Sequence, residues 1–197
     1  MSQIPTYLLL GKTGVGKSSF VNAVFGIQLA KTDRFSACTK LVEYYAQNTP
    51  YGEICLIDTP GLGEGGSIES TDLKYFDLVR TQVDFTRLTA VIYLHRFDDP
   101  RFRRDESEGI KLLTKRIGPQ VWTRTWLVLT FAASVAEEER SVQGTAKVDA
   151  IGKAIREGLR EVSGAELPFM FQQVLWTDNI VIGWSKSGRP TAEFLAK

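Results

Sequence analysis

Apolar residues along the chain gather into short runs, separated by polar turns and by longer stretches with helical spacing. The runs Tyr7–Leu10, Leu41–Ala46, Ile54–Ile57, Ala90–Leu94, Thr125–Thr130 and Phe171–Trp176 read as strands. Between most of them lie helical patterns. Ser19–Phe25 places Phe20, Val21 and Val24 on one face, and Ser70–Phe85 carries Leu73, Phe76, Leu78, Val79 and Val83. Asp105–Ile117 carries Ile110, Leu112, Leu113 and Ile117. Asp105 and Glu106 stand at its start, where the helix dipole favours acids, and Gly118-Pro119 stops it. Val148, Ile151, Ile155, Leu159 and Val162 form an apolar stripe that Gly164 ends. Strands alternating with helices predict an α/β sandwich of three layers, a mostly parallel central sheet flanked by helices. With no internal repeat, low-complexity tract or linker, residues 1–197 read as one domain. Ligands of such sheets bind at the carboxyl ends of the strands.

Composition narrows the function classes. At 43% hydrophobic and 24% charged residues, the chain falls with ordinary soluble globular proteins and is long enough for a sizeable core. A net charge of +1 gives no bulk attraction to nucleic acid or to an anionic membrane, so no nucleic-acid partner is expected. Cys38 and Cys55 are too few for a disulfide framework and suit a reducing compartment. No basic region followed by a long apolar stretch opens the chain, and no run of about 18 apolar residues occurs. The expectation is a cytoplasmic location. Any membrane association would come through segments outside this sequence.

The chemistry concentrates after the first strand. Residues Gly11-Lys12-Thr13-Gly14-Val15-Gly16-Lys17-Ser18 satisfy the phosphate-loop pattern G-x-x-x-x-G-K-[ST], with a strand before and a helix after. In such a turn, backbone N–H groups converge on phosphate oxygens, and the helix N-terminus adds positive potential. Gly11, Gly14 and Gly16 permit turns and close approaches that a Cβ would obstruct. Lys12 to Ser19 are therefore the candidate phosphate cradle. Lys17 is expected at the outer phosphates and Ser18 on Mg²⁺.

A second motif, Asp58-Thr59-Pro60-Gly61, follows the apolar run ending at Ile57. An acid at that strand end can hold a Mg²⁺-bound water, and the Gly61 N–H can sense a γ-phosphate. Between the motifs, the polar stretch Lys31–Lys40 offers Thr39, with Ser36 as runner-up, as the hydroxyl that completes the Mg²⁺ shell in a nucleotide switch. Either hydroxyl serves equally well as a turn cap. Directly after Gly61, where Ras-like proteins carry a water-orienting Gln, stands Leu62, which cannot orient water. Either another residue does so, or intrinsic hydrolysis is slow. Four glycines within Gly61–Gly66 suit a segment that phosphate contacts order. His95, the only histidine, ends a strand and is expected to be structural.

The phosphate loop, the sequence Asp58-Thr59-Pro60-Gly61-Leu62, and the run from Gly118 to Ser134 with its Val128-Leu129-Thr130-Phe131-Ala132-Ala133-Ser134 end resemble the Toc family of chloroplast-import receptor GTPases. Immunity-associated (AIG-type) GTPases and septins share the broader pattern. The resemblance covers Tyr7 to about Asn179. It implies a P-loop GTPase fold, GTP or GDP with Mg²⁺ as ligands, and a place at the cytosolic face of an organelle membrane. The usual guanine motif Asn-Lys-x-Asp is absent. Toc-like proteins have Thr-His-Ala at that point, and here Thr130-Phe131-Ala132 stands instead, which implies that Phe131 stacks on the base. Where the family uses a Glu-Asn pair to read guanine, Asp178-Asn179 sits at comparable spacing, and Gly183-Trp184-Ser185-Lys186 is a rival. The family's Tyr-Arg-x-Asp element matches Phe102-Arg103-Arg104-Asp105, with Phe for Tyr. This implies that Arg103 lies in a nucleotide-dependent homodimer interface, through the Arg101–Arg104 region, and reaches the partner's nucleotide. The other reading of that dense basic loop, offset by Asp98, Asp99 and Asp105, is a solvated charged surface.

Three function classes follow. The leading one is a slow Mg²⁺-dependent GTPase that switches or dimerises with nucleotide state, its catalytic candidates being Lys17, Thr39, Gly61 and Arg103, and its metal candidates Ser18, Thr39 and Asp58. A non-hydrolysing GTP-binding scaffold is the alternative. A P-loop ATPase or kinase is disfavoured by the Asp58–Gly61 element.

Overall fold

The computed structural model describes residues 4–32, 41–61, 70–99 and 102–177, with the side chains of residues 70–72 left out. Among the described residues six strands form one sheet: β1 (Thr6–Leu10), β2 (Glu43–Thr49), β3 (Gly52–Asp58), β4 (Ala90–Arg96), β5 (Thr125–Thr130) and β6 (Gln173–Thr177). Their order across the sheet is β2-β3-β1-β4-β5-β6. All neighbours run parallel except β2, which pairs antiparallel with β3. The helices are α1 (Lys17–Phe25), α2 (Ser70–Gln82), α3 (Arg104–Ile117) and α4 (Glu137–Ser163). The expected mostly parallel α/β architecture is the observed one.

Alternation along the central strands builds two cores. Tyr7 and Leu9 face one side of β1, where they pack with Leu56, Ile92, Val128 and the α1 residues Phe20, Val21 and Val24. Leu8 and Leu10 face the other side, with Phe76 and Val79 of α2, Ile110 and Leu113 of α3, and Ile151 and Ile155 of α4. Both faces of the central strands are covered, so they read as unbroken apolar runs.

Differences from the sequence reading have local causes. α1 was expected to bury one face; Phe20 through Phe25 are all buried, because the helix lies between sheet and loop. Asn22 accepts from the Leu29 and Ala30 amides and donates to the Ala30 carbonyl, so the turn after the helix is satisfied internally. β2 begins at Glu43 and continues through Gln47, Asn48 and Thr49. Its polar half carries no apolar signal, and pairing with β3 sets its length. Ser70–Phe85 ends as a helix at Gln82, and Phe85 opens a short 3₁₀ turn capped by the Asp84 carboxylate. α4 starts at Glu137, well before its apolar stripe. Its first turn carries Glu137, Glu138 and Glu139, which suit the helix dipole. The last strand begins at Gln173 rather than Phe171; Phe171 packs edge-on against Phe169 instead. Cys55 is a free, half-buried thiol in β3, pushed up by burial. No helix among the described residues is long and apolar enough to cross a membrane.

α3 is tied to the turn that follows it by a buried hydrogen bond, and α4 packs on that bond. The Thr114 hydroxyl accepts from Trp122 Nε1 at 2.8 Å and donates to the Ile110 carbonyl at 2.8 Å. Gly158 of α4 packs directly on it: a Cβ there would sit 3.0 Å from Thr114 Oγ1. Thr114→Val keeps the shape but strands the indole N–H, so it is expected to lower stability by about 1–3 kcal/mol in urea unfolding.

Candidate functional site

The carboxyl ends of β1, β3, β4 and β5 converge on one edge of the sheet, and the candidate residues gather there. After Leu10 the chain turns sharply at Gly11, whose φ is +149°; a Cβ would lie 2.4 Å from the Leu94 carbonyl of β4. The turn closes through the Val15 amide and the Lys12 carbonyl at 3.4 Å. Gly16, in the left-handed region, leads into α1 without a side-chain cap, so the first amides of α1 face the loop's concave side. The loop is pinned from β5, where Thr130 Oγ1 donates to the Val15 carbonyl at 2.7 Å.

Lys17 is 7% exposed and folds back over the loop, donating to the Gly11 and Lys12 carbonyls at 3.1 Å each. Its ammonium therefore sits in the concavity. Ser18 Oγ donates to Asp58 Oδ2 at 2.7 Å, joining the first turn of α1 to the end of β3. Asp58 is fully buried. One carboxylate and one hydroxyl side by side are hard oxygen donors of the kind Mg²⁺ takes when phosphates and waters supply its remaining ligands. Thr59 Oγ1 donates to the Leu9 carbonyl at 2.7 Å, fixing the turn after Asp58 against β1. Gly61 then passes so close to the loop that a Cβ would lie 2.2 Å from Thr13 Oγ1 and 2.5 Å from Thr13 Cα. The two motifs are thus in direct contact.

Lys12 directs its side chain away from the cradle, to Asp105 at the start of α3, at 2.6 Å. The Lys12 hydrogen bond holds the Asp105 carboxyl below its ordinary range. Of the candidate cradle, Lys12 thus offers its main chain rather than its ammonium. Ser19 stands half-buried in the first turn of α1.

Phe131 follows β5 with φ 59° and ψ 40°, the one non-glycine residue with positive φ among the described residues. Such a conformation costs an aromatic residue about 1–3 kcal/mol. The Arg96 guanidinium covers one face of its ring, 4.2 Å from the centroid. Asp98 grips that guanidinium with two bonds, Nε to Oδ1 at 2.9 Å and Nη2 to Oδ2 at 2.6 Å, which also hold its carboxyl below the usual range. Arg103 caps α3. Its side chain is 64% exposed, 3.9 Å from the Asp99 carboxylate.

The structure therefore brings Lys12–Ser19, Asp58 and Gly61 together, with Phe131 and Arg103 on neighbouring strand-end loops. Thr39, Ser36, Leu62, Arg101, Asp178, Asn179 and Trp184–Lys186 lie outside the described residues. β2 begins opposite Asp58, with Glu43 paired to it, so Leu41 and Val42 approach from the site's end of the sheet. No sequence pattern pairs Asp105 with Lys12, Thr130 with Val15 or Arg96 with Phe131; these partners are 35 to 115 residues apart.

Residues 6–130, from β1 through β5, match the 50S ribosome-binding GTPase family (MMR_HSR1). Translocase of chloroplast 33 from Arabidopsis thaliana is 34% identical over 158 residues, 78% of this chain and 51% of that protein. The chain thus spans about half of that relative's length. The fold is that of Arabidopsis thaliana Toc33 solved with GDP and Mg²⁺, at TM-score 0.75 and 24% identity, covering 99% of this chain and 84% of the other. It is equally that of a structure of chloroplast translocon components for which dimerization is described as important for GTPase activity. There the TM-score is 0.77 at 22% identity, with 99% and 84% covered.

Gly61→Ala forces the Asp58–Gly61 turn and the phosphate loop apart. It is expected to weaken binding of a fluorescent nucleoside triphosphate about tenfold or more, equivalent to about 1.4 kcal/mol, while far-UV circular dichroism stays unchanged.

Proposed function

Because the chain belongs to the MMR_HSR1 family of GTPases, with its residues 6–130 matched, we propose that it is a Mg²⁺-dependent guanine-nucleotide-binding protein. It hydrolyses GTP slowly and switches or dimerises with nucleotide state. The observation that carries this reading is the contact between the two motifs: Ser18 and Asp58 at 2.7 Å, and Gly61 against Thr13. A site that senses the outermost phosphate needs a phosphate loop and a separate turn within reach of the same oxygens. A small-molecule kinase lacks a γ-phosphate-sensing turn at this point.

In this reading the loop amides and Lys17 neutralise phosphate charge, and catalysis is mainly positioning and electrostatics. Ser18 and Asp58, with Thr39 as third candidate, would hold Mg²⁺, which would supply neutralisation of phosphate charge. Gly61 offers its N–H to the γ-phosphate. Leu62 orients no water, which supports a low rate in the monomer. Phe131 stacks on the base through the ring face opposite Arg96, and Asp178-Asn179 reads the guanine edge. Arg103, exposed at the start of α3, enters a second subunit's site and neutralises phosphate charge there, as an arginine finger does. The relatives for which dimerization is described as important for GTPase activity support the homodimer. The chain is read as a single G domain acting in the cytoplasm or at the cytosolic face of an organelle membrane.

Titration with GTP, GDP and ATP, with mass measured by light scattering in each state, tests the reading. GTP and GDP are expected to bind and ATP to compete at least about tenfold more weakly; tighter ATP binding rejects the guanine assignment. Asp58→Ala is expected to weaken GTP binding in Mg²⁺ about tenfold or more and to change it little in EDTA. Turnover per molecule is expected to rise with protein concentration, and Arg103→Ala to flatten that rise. Absence of phosphate release over hours at high protein concentration identifies the scaffold instead.

A further inference from the structure

Three ionisable side chains lie buried beneath the loop that leads to Arg103. His95, at the end of β4, is 1% exposed; Glu106 of α3 is 8% exposed and Lys147 of α4 is 6% exposed. They form a continuous chain. Lys147 Nζ lies 3.0 Å from His95 Nε2, and His95 Nδ1 lies 3.3 Å from Glu106 Oε1. An ammonium only donates, so the arrangement assigns the ring proton to Nδ1, which points at the carboxylate. Burial lowers the Lys147 ammonium's pKa against the pull of Asp99, Glu106 and Asp98. Burial raises that of the Glu106 carboxyl, but the His95 and Arg103 hydrogen bonds outweigh it and hold the group below its usual value.

Such a cluster needs an account. Removing charges from water is costly, and well-packed apolar residues of similar volume are often as stable or more so. The two ends of this chain supply one. Lys147 Nζ donates to the backbone carbonyl of Asp99, and Glu106 Oε2 accepts from the backbone N–H of Arg103 at 2.9 Å. The cluster therefore grips the main chain on both sides of the short connection between β4 and α3. Phe97 adds a third anchor, its amide donating to the Thr130 carbonyl at 2.8 Å. Phe102 lays its ring beside His95, centroids 6.0 Å apart. Arg103 thus has a fixed backbone and a side chain projecting into solvent.

We propose that the buried Lys147–His95–Glu106 chain is a positioning device: it holds the main chain at Asp99 and at Arg103 so that the Arg103 guanidinium is presented, already oriented, to the nucleotide of a second copy of this chain. This rests on the reading that Arg103 acts in trans. A long arginine on a mobile base would lose rotational and backbone freedom on each encounter, and anchoring the base beforehand removes part of that cost. The Lys12–Asp105 pair ties the same helix turn to the phosphate loop, so Arg103 keeps register with its own subunit's site.

The test is a double-mutant cycle on the full chain, combining Arg103→Ala with the apolar triple replacement His95→Leu, Glu106→Leu and Lys147→Met. GTP affinity is read at low protein concentration, and turnover across a concentration series. In the Arg103 background the triple replacement is expected to leave GTP affinity within about twofold and to cut the concentration-dependent turnover about 10- to 100-fold, the scale of a misplaced catalytic group. In the Arg103→Ala background it is expected to cut turnover no further. Full concentration-dependent turnover in the triple variant, or equal losses in both backgrounds, overturns the positioning role. So does a loss of GTP affinity matching the loss of turnover, which marks a merely structural cluster. If Arg103→Ala alone changes nothing, the reading in trans fails first, and the inference with it. Lys147→Met alone releases the Asp99 carbonyl and His95 Nε2 while leaving the Glu106–Arg103 anchor, and goes through the same cycle if the triple variant does not fold.

Discussion

Parallel pairing of β1 with β3 on one side and β4 on the other is the constraint from which the site follows. With Tyr7 opposite Leu56 and Leu8 opposite Ile57, β3 ends at Asp58 beside the turn into which β1 delivers the glycine-rich loop. The loop then crosses the strand ends, and Ser18 reaches Asp58 at 2.7 Å. Parallel strands also bring β4 and β5 to the same edge, so Leu94 closes over Gly11 and Thr130 bonds to Val15. The crossover helices that parallel strands require cover both faces, which is why the strands are apolar throughout.

On this scaffold the polar groups divide into two kinds. Surface ion pairs, such as Lys111 with Glu157 and Glu161, lie in high dielectric and contribute little. Buried polar groups are spent on geometry. Thr59 ties its turn to β1, Thr114 joins α3 to the indole of Trp122, and Lys17 lies over two loop carbonyls. The Lys147–His95–Glu106 chain belongs with these: its ends terminate on backbone atoms at Asp99 and Arg103. His95, expected to be structural, is the centre of that chain.

The segment after β5 departs furthest from the common guanine motif. Phe131 stands where the usual pattern carries a lysine, and its left-handed backbone holds the ring under a guanidinium that Asp98 clamps from two residues away. A guanidinium over the face of an aromatic ring is a favourable contact that fixes the ring.

Much of this was legible in the order of residues, because the relevant interactions are local. A buried strand requires a short apolar run, so β1, β4 and β5 were placed within a residue or two. A phosphate cradle requires glycines at fixed spacing before a helix, so Gly11–Ser18 was evident. The end of α3 at Gly118-Pro119 and that of α4 at Gly164 follow from backbone sterics. The polar half of β2 and the first turns of α4 were not legible, since pairing and helix propagation, not apolar periodicity, extend them. Nor did any pattern reveal that Lys12 turns to Asp105, that Arg96 covers Phe131, or that Lys147 closes on His95. Those partners are distant in sequence: packing of α3 and α4 on the sheet brings Asp105 and Lys147 within hydrogen-bond reach, and pairing of β4 with β5 sets Arg96 beside Phe131. The sequence by itself thus determined the elements and the phosphate-binding chemistry, through contacts made within a few residues. Tertiary structure alone decided which charges meet, because that depends on how whole elements pack together.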